Sequence, residues 1–553
     1  MDDFQSFFKK ATGYAPYPYQ SRLATDPKWP EALEVPTGSG KTAAVILGWL
    51  WRRRFAPEEV RKNTGRRLVL CMPMRSLTTQ TVGNARLWLS RLGLTEAPEV
   101  HTLMGGSVDD DWIRAPMSDA ILVGTQDMLL SRALNRGFGM SSYSWPMPFG
   151  LLHNDVQWVF DEVQLMGVGA STSAQLDAFR STFHTYGPSH SLWMSATLQP
   201  SRLATIDHGP LTDVMQLSSP ERETGELARL LSAGKRVQKL PVEATDSSAV
   251  ARAVAKAHRA GSRTLVVVNT VRRAQELFRA LRKISRTDTN IELLHSRFRP
   301  GDRSAIEANV LHRDWSGILV STQVVEAGVD ISARVLITEL APWASFVQRA
   351  GRCNRWAEFT DAEIRWIDLA DDDALARPYT PEDLDDARQR LLDLADASPG
   401  ALSAQPLAAA PVETPVLRRK DLLDLFDTTP DLTGAQVDVS AFVRNGEETD
   451  VLVCWRDLVR GAPPAKETLL PIRDEQCRVS IGDARAFLKK LASDGHIAWR
   501  WSARDDRWVE VESPVPSQVW LLASSAGGYT AAEGFTGGAS DPVTPIAGAV
   551  TLP

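Results

Sequence analysis

Residues 35–42 read VPTGSGKT, and each residue type there suits the cradling of a phosphate chain. Gly38 and Gly40 let the backbone turn so that successive amide N–H groups point at one anion. Lys41 extends an ammonium toward the outer phosphates of a nucleotide, the Thr42 hydroxyl is placed to ligate Mg²⁺, and Pro36, Thr37 and Ser39 complete the loop. The first position is Val35 and not the glycine of the strict eight-residue pattern. Taken alone, a Gly-rich turn before a helix is the plain alternative. Further on, VFDEVQLMG puts Asp161 and Glu162 at the end of an apolar run. One carboxylate there can hold the cation while its neighbour polarises an attacking water. The tripeptide SAT closes another apolar run, and the Ser195 and Thr197 hydroxyls suit sensing of the acidic pair.

A second set of chemistry-bearing residues lies beyond position 320. STQVVEAGVDI occupies 321–331 and SFVQRAGRCNR occupies 345–355. Arg352 and Arg355 are three apart, on one face if that stretch is helical. As arginine fingers they would meet the charge on a γ-phosphate, with Gln348 and Arg349 in support and Asp330 helping to close a cleft. The alternative is a basic helix in a surface ion-pair network. Cys353 is expected to be a filler and not a redox centre.

These residues need a scaffold that ends strands and starts helices at one edge. Continuous apolar runs begin at Arg67, Ala120, Val156 and Ser191, with the amphipathic stretch TVGNARLWLSRLGL from Thr81 between them. Such runs read as strands buried on both faces of a parallel sheet, and the stretches between them as crossover helices. The pattern weakens over 205–245 and resumes with runs from Thr264, Ile291, Gly317, Val335 and Ile364. Two α/β units in tandem are therefore expected, at 1–215 and 216–370, followed by a helical and Pro/Ala-rich linker at 371–445. Asp371, Asp372 and Asp373 in that linker are better read as an acidic helix start than as a metal site. A smaller mixed C-terminal accessory domain is expected at 446–553, where Trp- and Val-rich pieces cluster. Core packing is the expected job of most of those tryptophans.

Bulk properties exclude several classes. A chain of 553 residues exceeds the size at which one hydrophobic core stops growing. The net charge of -6 offers no overall basic field, so any nucleic acid must be held in a local groove. Four cysteines without a CxxC pair argue against a disulfide framework or a structural zinc site. The acidic N-terminus is unlike a signal peptide, and AAVILGWLW at 43–51 is too short to span a bilayer, so a cytoplasmic protein is expected.

The ordered set PYQ with Gln20, PTGSGKT, PMRSLTTQ, GTQDM, DEVQ, SAT, VVNT, STQVVEAGVDI and QRAGRCNR resembles the superfamily-two helicases across residues 1–370. Within that superfamily the chain is similar to the helicase part of the CRISPR-associated helicase-nuclease of type I interference systems, in the subtype whose His-Asp nuclease domain follows the helicase. GTQDMLLSRALNRGFG from Gly124 and AGGYTAAEGF near the C-terminus carry the finer likeness, together with DLLDLFDTTPDLTGAQVDVSAFVR. The resemblance implies two RecA-like domains and ATP with Mg²⁺ held between them, with Gln20, Gly328 and Asp330 added to the nucleotide site. It implies 3′-to-5′ translocation on single-stranded DNA recruited to an RNA-guided CRISPR surveillance complex. It also implies a nucleic-acid track near Arg75, Thr78, Thr79, Gly105, Thr125, Thr270 and Thr322. Gln164 stands where many relatives have histidine, so the coupling of hydrolysis to Ser195 and Thr197 is expected to differ in detail. No His-Asp dipeptide occurs and the nine histidines are scattered, so no nuclease active site is expected in this chain. The active-site residues leave open a helicase acting on RNA or in DNA repair, or a non-translocating ATP-gated clamp.

Overall fold

The computed structural model describes residues 3–546 except 106, 199, 286–288, 327, 371, 406–414, 428–436, 445–449 and 539–540. Asp371 and part of the expected Pro/Ala-rich linker thus lie outside the described residues. The chain forms two compact units, one from 1–234, 356–358 and 397–446, the other from 235–355, 359–396 and 447–553.

The first unit is built on an eight-stranded sheet. Its order is Ser107–Val108, Glu99–Met104, Ala120–Thr125, Arg67–Met72, Val156–Phe160, Ser189–Ser195, Ala32–Glu34 and Val214–Gln216. All neighbours run parallel except the first pair. The central strands are buried at every position because helices cover both faces. Strand alternation divides them cleanly. Leu68, Leu70 and Met72 enter a core with Trp49 and Phe7, whereas Val69 and Cys71 enter one with Trp158 and Trp193.

The second unit holds an all-parallel six-stranded sheet, ordered Ile291–Leu294, Gly317–Ser321, Arg263–Val267, Val335–Glu339, Glu363–Ile367 and Arg236–Lys239. The same unit contains a mixed five-stranded sheet, ordered Cys477–Ser480, Asp450–Arg456, Val519–Ala523, Trp499–Ser502 and Arg507–Glu510. The expected α/β class, with two parallel sheets and a smaller mixed C-terminal part, is what the structure has. Val266, Ile318 and Val320 share one core with Val451, Val453 and Trp455, so the two sheets of this unit are packed together. A hairpin of Tyr529–Thr530 and Gly534–Phe535 adds to that packing through Gln275, whose side-chain amide donates to the carbonyls of Glu533 and Phe535. Within the stretch expected as a linker, the charged helix Pro381–Asp393 belongs to the second unit, and residues 397–446 belong to the first.

Candidate active site

A parallel sheet sends every strand's carboxyl end to one edge, and that edge is where ligands are held in α/β folds. In the first unit, the loop at 35–42 follows Ala32–Glu34, the acidic pair follows Val156–Phe160, and Ser195 ends Ser189–Ser195. Ala32–Glu34 pairs directly with Ser189–Ser195, and the Val35 amide extends the ladder to the Ser195 carbonyl at 3.2 Å. Three separate stretches of sequence therefore meet at one edge.

The loop takes its shape from two left-handed residues, Gly38 at φ +83° and Gly40 at φ +81°. A side chain at Gly40 would also strike Gln20, since its Cβ would lie 2.8 Å from Gln20 Nε2. Gln20 Nε2 donates to the Gly40 carbonyl at 3.0 Å, and its Oε1 accepts from the Tyr17 amide at 2.8 Å. Ser39 Oγ donates to the Pro36 carbonyl at 2.7 Å. The helix Lys41–Arg54 begins at once, so its unpaired amides and positive dipole end face the loop. Tyr19, which sequence reasoning passed over, is fully buried and its hydroxyl donates to the Ser39 carbonyl at 2.7 Å. Its only signal was its place beside Gln20.

Lys41 Nζ donates to the Val35 carbonyl at 3.3 Å and lies 3.6 Å from Glu162 Oε1. Glu162 sits at φ +49°, a left-handed backbone that turns its side chain back over the strand end. Its amide donates to Asp161 Oδ1 at 2.9 Å. From Glu162 a line of hydrogen bonds runs outward. Gln164 Nε2 donates to Glu162 Oε2 at 2.5 Å, Ser195 Oγ donates to Gln164 Oε1 at 2.7 Å, and the Thr197 amide donates to Ser195 Oγ at 2.9 Å. Burial, and then the charge of Glu162, push the Asp161 carboxyl up to about 7, with Lys41 opposing them. The Thr42 hydroxyl and the two carboxylates are hard oxygen donors of the kind a divalent cation takes, and a cation's charge would favour ionised Asp161.

In the second unit Gly328, at φ +82°, and Asp330 follow Gly317–Ser321. Asp330 Oδ1 lies 2.6 Å from Arg355 Nε. Arg352 Nε and Nη2 donate to the carbonyls of Val325 and Glu326 at 2.9 and 2.8 Å. The condition for Arg352 and Arg355 to share a helix face is not met. The helix is Trp343–Ala350, closed at Gly351, and both arginines lie in the turns beyond it. Cys353 bridges to Ala333 there and Asn354 takes φ +45°, which breaks the helical repeat. Cys353 is fully buried and burial pushes its thiol up to about 12, as a filler residue would have it.

Gln348 is buried at the same helix, and Arg349 is entirely enclosed. Arg349 donates to Glu326 Oε1 at 2.8 Å, Thr338 Oγ1 at 2.8 Å, the Glu339 carbonyl at 3.0 Å and Asn269 Oδ1 at 2.9 Å. Glu326, Glu339 and Asn269 were not anticipated. Their signal was the Asn of VVNT and the strand-end Glu339, neither readable without its distant partner.

The expected nucleic-acid residues also follow strand ends, but separately. Arg75 opens the helix Arg75–Leu92 and approaches Gly105, where a Cβ would lie 2.7 Å from Arg75 Nη2. Thr79 is exposed, whereas Thr78 is buried with its hydroxyl donating to the Met74 carbonyl at 3.1 Å. Thr125 stands at the N-cap position of the helix Gln126–Ala133 without a side-chain capping bond, and it is largely buried. Thr270 caps the helix Val271–Ile284 by accepting from the Arg273 amide, and Thr322 is buried after Gly317–Ser321.

Comparison with known proteins bears on what this geometry belongs to. Residues 31–206 match the DEAD/DEAH box helicase family, and residues 260–358 match the C-terminal helicase part of the CRISPR-associated nuclease/helicase Cas3. The chain is similar to the helicase part of Cas3 proteins. It is 29% identical over 400 residues to a Cas3 nuclease/helicase of Myxococcus xanthus, covering 69% of this chain and 49% of that protein. It is 26% identical over 407 residues to the Cas3 of Methanothermobacter thermautotrophicus, covering 68% and 45%. The chain thus spans about half the length of these curated Cas3 relatives. Its fold is like that of T. fusca Cas3 with AMPPNP, at TM-score 0.60 and 17% identity over 94% of this chain and 68% of that one. A crystal structure of a CRISPR-associated protein aligns with it at TM-score 0.64 and 16% identity, over 96% and 70%. Among the described residues no helix is long and apolar enough to cross a membrane.

Proposed function

We propose that this Cas3-like helicase chain is an ATP-driven, 3′-to-5′ translocase on single-stranded DNA, recruited to DNA opened by an RNA-guided CRISPR surveillance complex in the cytoplasm. The observation that carries the reading is the line from Lys41 through Glu162 and Gln164 to Ser195 and Thr197, which ties a phosphate-binding loop to the strand beside it. A bound Mg²⁺, held by Thr42 and Asp161, would neutralise charge on the phosphates. Lys41 would grip the outer phosphates, and Glu162 would orient the attacking water and accept its proton. Arg352 and Arg355 would stabilise charge on the transferred phosphoryl group, with Gln348 in support and with Gln20, Gly328 and Asp330 completing the nucleotide contacts.

Arg75, Thr79, Gly105, Thr125, Thr270 and Thr322, with Thr78 behind them, are the proposed track for the strand, gripped through its phosphates. Such a grip ignores sequence and weakens as salt rises. The division into RecA-like domains at 1–215 and 216–370, a linker and an accessory domain is retained as part of this proposal. DNA cutting, which the relatives' names include, is assigned to a His-Asp nuclease acting in cis or in trans. The deciding measurement is ATP turnover with single-stranded DNA, duplex DNA and RNA in parallel. Strongest stimulation by single-stranded DNA supports the reading. Strongest stimulation by RNA overturns it in favour of an RNA helicase. Hydrolysis with no displacement of a blocked strand leaves an ATP-gated clamp.

A further inference from the structure

Residues 415–427 and 437–444 follow the second unit's six-stranded sheet in sequence yet are built into the first unit. Leu417, Leu425, Val439 and Val443 are buried there in one core with Met128, Leu129, Leu130, Val163 and Ala170. Polar side chains on or beside two helices of the first unit bind the same segment. Gln175 donates to the Leu417 carbonyl at 3.2 Å and accepts from its amide at 2.8 Å. Asn135 and Arg136 both donate to the Leu425 carbonyl, at 3.0 and 2.7 Å. Thr172 Oγ1 donates to the Phe442 carbonyl at 2.5 Å, and Gln126 Nε2 donates to the Val443 carbonyl at 3.1 Å.

Thr172 and Gln175 have no exposed surface on the helix Val168–Phe183. Polar groups on a buried helix face are costly unless bonded. That face is therefore made for this segment and would be poor against an apolar one. Gly169 makes the closest approach possible, since a Cβ there would lie 3.3 Å from both Gln126 Oε1 and the Val443 carbonyl.

Gln126 is the first residue of the helix Gln126–Ala133, directly after Thr125. We propose that residues 415–427 and 437–444 form a strap that sets the position of the Thr125–Gln126 step. Gln126 is then a positioning residue for nucleic acid held at that step. The positioning role rests on the track proposed above, whereas the strap itself does not.

The experiment uses the full chain with Gln126→Ala, which removes one hydrogen bond, and Val443→Ala, which trims one buried anchor. Two readouts are taken: amide hydrogen exchange, and binding of a fluorescent single-stranded DNA oligonucleotide. Amides of 126–133 should exchange about three- to tenfold faster in Gln126→Ala, as loss of one such bond implies, and at least about threefold faster in Val443→Ala, as loss of buried apolar volume implies. The oligonucleotide concentration for half-maximal binding should rise by a similar factor. The KM for ATP and the DNA-free turnover should stay at wild-type values, which a general loss of structure would not permit. Unchanged exchange at 126–133 overturns the strap. Faster exchange with unchanged DNA affinity overturns the positioning role. Wild-type protein that binds no single-stranded DNA overturns the functional reading, and the positioning role falls with it, while the exchange result still judges the strap.

Discussion

Lys41 Nζ stands 3.6 Å from Glu162 Oε1 and 3.3 Å from the Val35 carbonyl, so the loop's ammonium is already aimed along the acidic edge of the first sheet. Lys41→Ala removes the charge that grips the outer phosphates and leaves the loop's backbone bonds in place. Phosphate release should fall to background while the circular dichroism spectrum stays native. Turnover at the wild-type rate would refute the assignment of this loop.

Arg352 reaches the carbonyls of Val325 and Glu326 through two of its nitrogens. Arg352→Ala should keep ATP binding and slow hydrolysis by about 10³-fold or more, the scale on which a finger acts. Fluorescent-nucleotide titration and single-turnover hydrolysis separate the two effects. Unchanged hydrolysis would remove this arginine from the mechanism.

Gln164 is the sole joint between Glu162 and Ser195 in the line of bonds described. Gln164→Ala cuts that line without touching the phosphate loop. ATP hydrolysis should persist while strand displacement per ATP drops. A proportional fall in both would show that Gln164 serves hydrolysis itself and does not couple it to movement.

Arg349 is enclosed and paired with Glu326, whose side chain is only 4% exposed. Arg349→Ala leaves that carboxylate buried without its partner, a loss of about 3–5 kcal/mol. Arg349→Lys should not restore stability, because one ammonium cannot reproduce a planar set of donors to Glu326, Thr338, Glu339 and Asn269. Urea unfolding of the full chain reads this directly; a midpoint equal to wild type would contradict the buried network.

Two buried histidines set an acid limit. Burial holds His153 and His295 down to about 3, against an ordinary value near 6.5. Between those values the unfolded chain binds more protons than the folded one, so stability rises with pH. The contribution is complete above about 6.5 and is lost as pH falls toward 3. His295 makes the reason concrete: Nε2 faces the Glu533 carbonyl at 3.0 Å while Nδ1 accepts from the Arg297 amide at 3.1 Å. Protonating Nδ1 would break that acceptor bond and bury a charge. The melting temperature should therefore drop from pH 7 to pH 4, with a shallower slope in His295→Gln. An identical slope would place the acid sensitivity elsewhere.

The strands that carry the site were readable because burial on both faces forces unbroken apolar runs, as in RLVLCM at Arg67–Met72. Ala32–Glu34 escaped notice because it is three residues long and carries Glu34, whose carboxylate accepts from the Leu198 amide at 3.1 Å. Edge strands such as Arg236–Lys239 bury one face only and so lack the run that marks a strand. The phosphate loop and acidic pair were legible because local chemistry dictates their residue types. The turns carrying Arg352 and Arg355 were not, because spacing alone cannot reveal that Cys353 pairs with Ala333. Nor could Leu417, Leu425, Val439 and Val443 be recognised as part of the first unit, since their spacing has no helical or strand period and their partners lie hundreds of residues earlier.

That last arrangement bears on how the protein is made. A ribosome finishes the first eight-stranded sheet long before it releases Leu417 or Val443, so Thr172 and Gln175 must remain without their native backbone partners while the second sheet is being synthesised. The half of the molecule that begins first is thereby completed only after the six-stranded sheet of the other half has been made.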